Sequence, residues 1–555
     1  MLGDIRQGYA KLLLEVCSPQ DKTNLDRAMN GSMTFNSFPA ESIELDSFDW
    51  VNGSKDRNWW WQIQQLPVNR WYVNSIDPST DEAQHRLAHT FLLRVLRNWA
   101  QRASHARGEI PLTWHDHAAA LRLRGLRDLY VVASSLDSYH PELQRELAIQ
   151  IEEHCLWLEK PENYSRRTNH GFDQSEILLF TALVFPEWEH SSRLAKVARS
   201  RLLDELTFAF TSQGVHKENS PGYHQFMMSR LEQLLVYETM GDPDLGSLAR
   251  RYFENARRFL GAISLPDGTL PPIGDTRLGT PVNRQYLPDD GSVDLVLEAN
   301  DGYMRVHDFA ESGYLIVDYL DERTNEPGKL ILKSGQFSNY HRQDDDLSIY
   351  WVVGSKVLLD DAGLYSHNET DAVRVYARSS YAHCTVAVSG SSPTRTNRTS
   401  AEPAPLQIKV EPLRLIASSS SVPHWKLRRV VNVQKLAQGR LVVECQARSA
   451  SHSGSIRTNW LLSPHFSVAK LDAQSGRVVF KDSEGYSLAV TPGDSIEGSE
   501  LYAGKGTGVE DTAVTSPIFG EFEPTTRLVS RWLGPGALRS YLDFGVPTVA
   551  PVDKI

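Results

Sequence analysis

The chain has 555 residues, too many for one hydrophobic core, so two or three domains are expected. Its apolar fraction of 41% and charged fraction of 23% are those of an ordinary globular protein, and its net charge of −11 argues against a nucleic-acid binder. An anionic ligand is still compatible with that charge, because a basic cleft can sit on an acidic protein. Cys17, Cys155, Cys384 and Cys445 lie far apart without a CxxC pair. Buried free thiols are expected, and neither a thiolate zinc site nor a disulfide framework. No apolar run is long enough to span a bilayer. The polar start Met1-Leu-Gly-Asp-Ile-Arg-Gln lacks the apolar core of a signal peptide. As written, the chain is expected in the cytoplasm, or in the periplasm or outside if a signal was removed.

Residues 1–80 read as an irregular N-terminal arm. Between Asp46 and Trp61 it carries Phe48, Trp50, Trp59, Trp60 and Trp61. Aromatics there pin an arm to a body, and one exposed sugar-stacking platform among them is the second reading. From about 82 to 264 the pattern is helical. Leu87, Phe91, Leu92, Val95, Leu96 and Trp99 recur at three- and four-residue steps, one face of a helix. Further helices are predicted at 115–136, 141–159, 174–184, 190–212, 224–240 and 245–264. Pro and Gly punctuate 265–300, and 301–555 is dominated by short β-branched runs. Examples are Lys329–Lys333, Leu347–Leu359, Cys384–Val388, Leu441–Cys445 and Arg477–Lys481. Ser389–Thr399 and Ser418–Ser421 read as loops. The expected architecture is an all-α array followed by an antiparallel β-sandwich.

Three polar stretches stand out from this scaffold. The first is Asn169-His170-Gly-Phe-Asp173-Gln174, and the second is His216-Lys-Glu218-Asn-Ser-Pro-Gly-Tyr223-His224. The third is Tyr340-His341-Arg342-Gln343-Asp-Asp-Asp-Leu-Ser348. Pro221 and Gly222 force a turn before Tyr223, which presents the cluster at a helix start. Taken singly, each stretch fits a helix cap or a packed turn.

Together and in this order they resemble the heparinase II/III-like polysaccharide lyases. Asn169-His170 with Gln174 is similar to that family's Asn-His motif. Glu218-Asn-Ser-Pro-Gly-Tyr223-His224 resembles its Ser-Pro-x-Tyr-His signature. His341 to Ser348, then Leu358-Leu-Asp-Asp361-Ala-Gly363, resembles its His-x-His-x-Asp-x-Leu-Ser and Asp-x-Gly segments. Ala382-His383-Cys-Thr-Val386 resembles its Ala-His-Asn-Thr-Val segment. The resemblance implies an incomplete α/α toroid at 81–300 and an antiparallel β-sandwich at 301–555. It departs from the family at Gln343, where a second histidine is usual. In relatives that histidine resembles a metal site together with the residues matching Asp361 and His383. Glutamine is a weak substitute for imidazole on zinc, so calcium or no metal fits as well as zinc, and no cofactor is required.

The implied activity is β-elimination on a uronate-containing, acidic polysaccharide. A base removes the proton at C5, the 4-linked sugar leaves, and a 4,5-unsaturated uronate remains. Asn169 and His170 suit the role of neutralising the uronate carboxylate, and the resemblance assigns it to them. Tyr223 and His341 are the candidates for acid and base; the residues alone leave open which takes which proton. Asp173, Gln174, Glu218, His224 and Tyr340 are expected around the substrate as orienting or binding groups. Arg342, Arg374 and Arg378 are expected to grip its carboxylates or sulfates. Two alternatives remain. One is an α/α-toroid glycoside hydrolase using two of Glu218, Asp173 and Asp275. The other is a non-catalytic binding or assembly protein of a bacterial surface-polysaccharide system.

Overall fold

A computed structural model describes residues 2–35, 38–45, 47–51, 55–76, 81–103, 112–136, 140–288, 295–299, 302–394, 405–409 and 412–547. Asp46, the 300/301 boundary and the end of the 389–399 loop lie outside these residues. Two compact units form the chain: Met1–Ala209 with Val236–Gly246, and Phe210–Leu235 with Ser247–Ile555. The first is an incomplete α/α toroid and the second an antiparallel β-sandwich. The helix that starts at Pro221 and carries Tyr223 belongs to the second unit, although a helical domain at 81–300 would have claimed it.

In the first unit the helices alternate between two kinds. Asn169–Val184 is buried nearly all round, and Asp116–Ser135 almost as completely. Pro141–Glu159 and Ser191–Ala209 bury one stripe each. Helices apolar on all sides belong inside, and amphipathic ones outside. The contacts follow: Asp116–Ser135 packs on Pro141–Glu159, Asn169–Val184 on Ser191–Ala209, and the two inner helices on each other. Glu82–Arg102 buries the predicted face from Phe91 to Trp99, but Leu87 is 65% exposed.

The N-terminal 80 residues are not an irregular arm. They contain the helices Leu2–Leu14, Pro19–Met29, Arg57–Ile63 and Pro67–Val73. Their starts carry good signals: Ser18 caps one with Pro19 after it, and Asp56 caps another. Mixed composition weakens the periodic pattern of the first two, and a length of 7 residues that of the last two. Trp50, Trp59 and Trp60 are fully buried and pin this segment as expected. Cys17 is exposed, against expectation, whereas Cys155, Cys384 and Cys445 are buried free thiols.

The second unit holds three large antiparallel sheets around one apolar core that runs from Met304 through Trp351, Val443 and Trp460 to Phe544. A six-stranded meander runs in chain order from Leu295–Ala299 to Lys356–Leu359. The eight-stranded sheet contains the neighbours Arg414–Ser419, Lys426–Asn432 and Arg440–Arg448. Along Lys426–Asn432 the side chains alternate between core and outer face, the period of a one-sided sheet. No helix among the described residues is long and apolar enough to cross a membrane.

Candidate active site

In the second unit, the turn before Tyr223 is built by local rules. Ser220 caps the helix Pro221–Gln233, its hydroxyl accepting from the Tyr223 N–H at 3.4 Å, and Pro221 occupies the first turn. Thr276 braces this corner: its hydroxyl lies 2.8 Å from that of Ser220 and accepts from the Gly222 N–H at 3.0 Å. Asn219, with φ 62°, donates from its amide to the Ser338 and Tyr340 carbonyls at 3.0 Å each, tying this loop to the His341 loop. Gly274 lies where a Cβ would meet the Asn219 carbonyl oxygen at 2.3 Å, so only glycine fits.

These braces stack the Tyr223 ring on the His341 imidazole, with centroids 3.6 Å apart and planes 18° apart. His341 sits in the left-handed region, with φ 52°, uncommon for a non-glycine residue and typical of functional loops. Its Nδ1–H donates to Asp275 Oδ2 at 3.0 Å, and its Nε2 faces Glu218 Oε2 at 3.4 Å. Asp275 is the hub. It accepts two bonds from Arg374, at 2.6 and 2.8 Å, and one from the Gln343 amide at 3.0 Å. Burial alone would raise its carboxyl, but the bonds from His341 and Arg374 hold it well below the usual carboxylate range. Tyr223 is pushed above its ordinary value by burial first, then by the negative charge of Asp275 and Glu218. Burial also raises Glu218, partly offset by His341.

The first unit contains a second histidine–carboxylate group. Asn169 opens the helix Asn169–Val184, capped by Thr168, whose hydroxyl accepts from the Gly171 N–H at 3.1 Å. Gly171 lies so close to the Ser165 carbonyl (2.3 Å from a built Cβ) that no other residue fits. His170 Nδ1–H donates to Asp116 Oδ2 at 3.1 Å; Asp116 also accepts from the Ser165 hydroxyl and lies 2.9 Å from His115 Nδ1. Burial opposes the charge on Asp116, but these bonds together hold it well below the usual carboxylate range. His117 stacks on His170 with centroids 4.2 Å apart and bonds to Asp173 at 2.8 Å. The Asn169 amide is half-buried and has no hydrogen bond among the described residues.

Two family models match the chain: "Heparinase II/III N-terminus" over residues 16–289 and "Heparinase II/III-like, C-terminal" over residues 303–534. The chain belongs to the heparinase II/III-like family. By that membership it is a polysaccharide lyase. Among solved structures it is similar to the heparan sulfate lyase HepC from Pedobacter heparinus, at 16% identity and a TM-score of 0.73, covering 99% of this chain and 88% of that one. It is also similar to a structure titled heparinase III, at 15% identity and a TM-score of 0.65, covering 96% and 86%. A comparison with curated protein sequences finds no match.

Several residues expected to touch substrate in this heparinase-like chain are occupied otherwise. Arg374 is 2% exposed and spent on Asp275 and Glu369. Arg378 donates to the Arg342 carbonyl and pairs with Glu369. His224 is buried; its Nε2–H donates to the Ala256 carbonyl at 3.0 Å and its Nδ1 accepts from the His216 N–H, so it braces the loop. Burial pushes it down to about 4. Gln174 is buried and pins the turn before the helix, accepting from the Ser165 N–H and donating to the Asn163 carbonyl. Asp173 is buried against His117. Tyr340 is 48% exposed, and the buried Arg342 faces a cavity of the β unit. The sequence reading missed Asp116, His115, His117 and His367, and weighed Asp275 only as a hydrolase acid. It also missed Arg277, an exposed cation whose charge offsets part of the rise at Tyr223. The Gly274-Asp275-Thr276-Arg277 run, polar inside a Pro/Gly-rich stretch, is the signal that could have found two of these.

Of the expected metal residues, His383 Nε2 and Gln343 Oε1 are buried without a hydrogen-bond partner among the described residues, while other atoms of the group are engaged. His383 Nδ1–H donates to Asp361 at 2.7 Å, and Gln343 turns its amide nitrogen to Asp275. Burial would lower His383, but Asp361 outweighs it and raises the imidazole. The buried Lys333 ammonium, 2.6 Å from Asp345, already supplies positive charge beside them. Among the described residues Asp275, His341 and His367 also bring donor atoms within 4.8 Å of one another. There Asp275 is already paired with the Arg374 guanidinium.

Proposed function

We propose that this lyase cleaves a uronate-containing acidic polysaccharide, of the glycosaminoglycan type that its structural neighbours are named for, by β-elimination. The observation that carries the reading is the Tyr223–His341 stack with its fixed tautomer. With Nδ1–H committed to Asp275, the Nε2 of His341 is the atom left to take the C5 proton. Glu218, raised by burial, faces that nitrogen and shares the proton it gains. Tyr223 stays protonated at neutral pH and gives its proton to the leaving C4 oxygen. The C5–H pair becomes the C4–C5 double bond as the C4–O bond breaks. Asn169 and His170 take the carboxylate-neutralising role, and Arg277 replaces Arg374 and Arg378 as the cation that receives an acidic group. Asp275 is held ionised, which removes it as the proton donor a glycoside hydrolase would need.

The experiment is ultraviolet absorbance of unsaturated uronate on a panel of uronate polymers, comparing wild type with Tyr223→Phe and His341→Gln. Product from one polymer class that disappears in both variants supports the assignment. Product with saturated ends, or turnover surviving Tyr223→Phe, would overturn it.

A further inference from the structure

The β unit contains a cavity of about 760 Å³ whose lining includes Gln336, Arg342, Ser418, Lys426, Arg428 and Arg448. Asp346 is the one carboxylate among its lining residues, against four cations. That carboxylate is already used: it accepts from the Gly335 N–H at 2.7 Å and from the hydroxyls of Ser419 and Ser421 at 2.8 and 2.9 Å. Arg342 is 2% exposed, yet among the described residues its guanidinium has no carboxylate or hydrogen-bond partner, and its Nε is buried and unpaired. The Gln336 Oε1 is likewise buried and unpaired. A buried guanidinium without a counter-charge costs several kcal/mol as a rule, so a fold that keeps one has a use for it. The sheet repeats the pattern. Lys426 and Arg448 lie directly opposite in register, a like-charge pair that destabilises a sheet unless an anion lies between them. Arg428, two residues along, projects from the same outer face as Lys426. Nothing in the elimination chemistry uses this cavity.

We propose that it is a second binding site for the substrate polymer, taking a sulfate or carboxylate group of the sugar chain on Arg342, with Lys426, Arg428 and Arg448 as its basic rim. The choice of ligand rests on the polysaccharide reading above. Bidentate guanidinium pairing and the exposed hydroxyls of Ser418 and Ser420 match the oxygens of such a group. Such a site would hold a long chain without taking part in the bond cleavage.

The test is calorimetric binding of a heparan sulfate decasaccharide to full-length Tyr223→Phe, with and without Lys426→Ala/Arg428→Ala, and separately with Arg342→Gln. Inorganic sulfate alone is the second probe. Loss of the rim should weaken decasaccharide binding by roughly 10- to 100-fold, the size of one charge-assisted hydrogen bond. In the otherwise wild-type enzyme it should raise KM on polymer while leaving kcat on a tetrasaccharide unchanged. Should Arg342→Gln fail to fold, the rim variant still decides. Unchanged decasaccharide affinity overturns the site, as does sulfate binding that the variants abolish without any effect on the polymer. Failure here with product still formed leaves the lyase reading intact. Binding that depends on the rim with no product from any polymer would sink the lyase reading and leave the site.

Discussion

The histidine groups of the two units use one device with different settings. In each, a carboxylate accepts from the Nδ1–H of a half-buried histidine: the buried Asp275 for His341, the half-buried Asp116 for His170. Asp275 is saturated by a bidentate arginine, and its histidine sits in a strained backbone well against a tyrosine. Asp116 is held by a second histidine and a serine, and its histidine stacks on another imidazole. The first arrangement fixes a tautomer and presents a proton donor beside it, which is what proton transfer needs. The second provides oriented imidazole donors, which is what anion neutralisation needs.

That contrast predicts unequal losses. Tyr223→Phe removes the donor from the first group and should lower kcat by about 10²–10⁴-fold without changing Tm, read from unsaturated-product absorbance. A surviving kcat would collapse the distinction. Asp275→Asn leaves the buried Arg374 with only the exposed Glu369 as counter-charge. A loss of about 3–5 kcal/mol of stability is expected, read by urea denaturation, along with the activity that depends on the His341 tautomer. Asp116→Asn strips one charged hydrogen bond from His170 and should cost roughly 10–100-fold in kcat/KM with a smaller stability change.

Acid should separate the same variants. Asp275 and Asp116 are both depressed when folded, so each contributes stability that is present above the unfolded carboxylate value, about 3.9, and is lost as pH falls through the folded one. Wild-type Tm should therefore drop steeply below about pH 4. Asp275→Asn should start lower and fall less. Parallel curves would mean that the Asp275 charge is not linked to folding.

Much of this was legible in the sequence because it is local. Helix faces such as Phe91 to Trp99 repeat every turn, strands alternate, and the Ser-Pro-Gly-Tyr turn carries its own cap and breaker. The partners of the site residues were not legible, since each is a long-range choice. Nothing near Arg374 in the chain says that it will be consumed by Asp275, 99 residues away. Nothing around His224 says that it will face the Ala256 carbonyl. A charged or imidazole side chain looks the same in sequence whether it meets a ligand or its own fold. The short N-terminal helices escaped for another reason: at seven residues, Arg57–Ile63 and Pro67–Val73 do not complete a readable period.

The three tryptophans of the helix Arg57–Ile63 give the finest test of the second group. Trp59 and Trp60 are 1% exposed, but Trp61 is only half-buried, and its ring lies 5.6 Å from His117 at a 39° tilt. His117 in turn stacks on His170, so the three rings form one ladder with Trp61 at its end. In the proposed site, a half-buried ring at the end of the ladder that leads to His170 would stack on a sugar, whereas Trp60 can only be core. Trp61→Ala should then raise KM by about 3- to 10-fold, the worth of one aromatic contact, and leave kcat and Tm near wild type. Trp60→Ala should cost about 3–5 kcal/mol of stability instead. If Trp61→Ala unfolds the protein as readily as Trp60→Ala, the ladder is core packing and His170 acts without a platform.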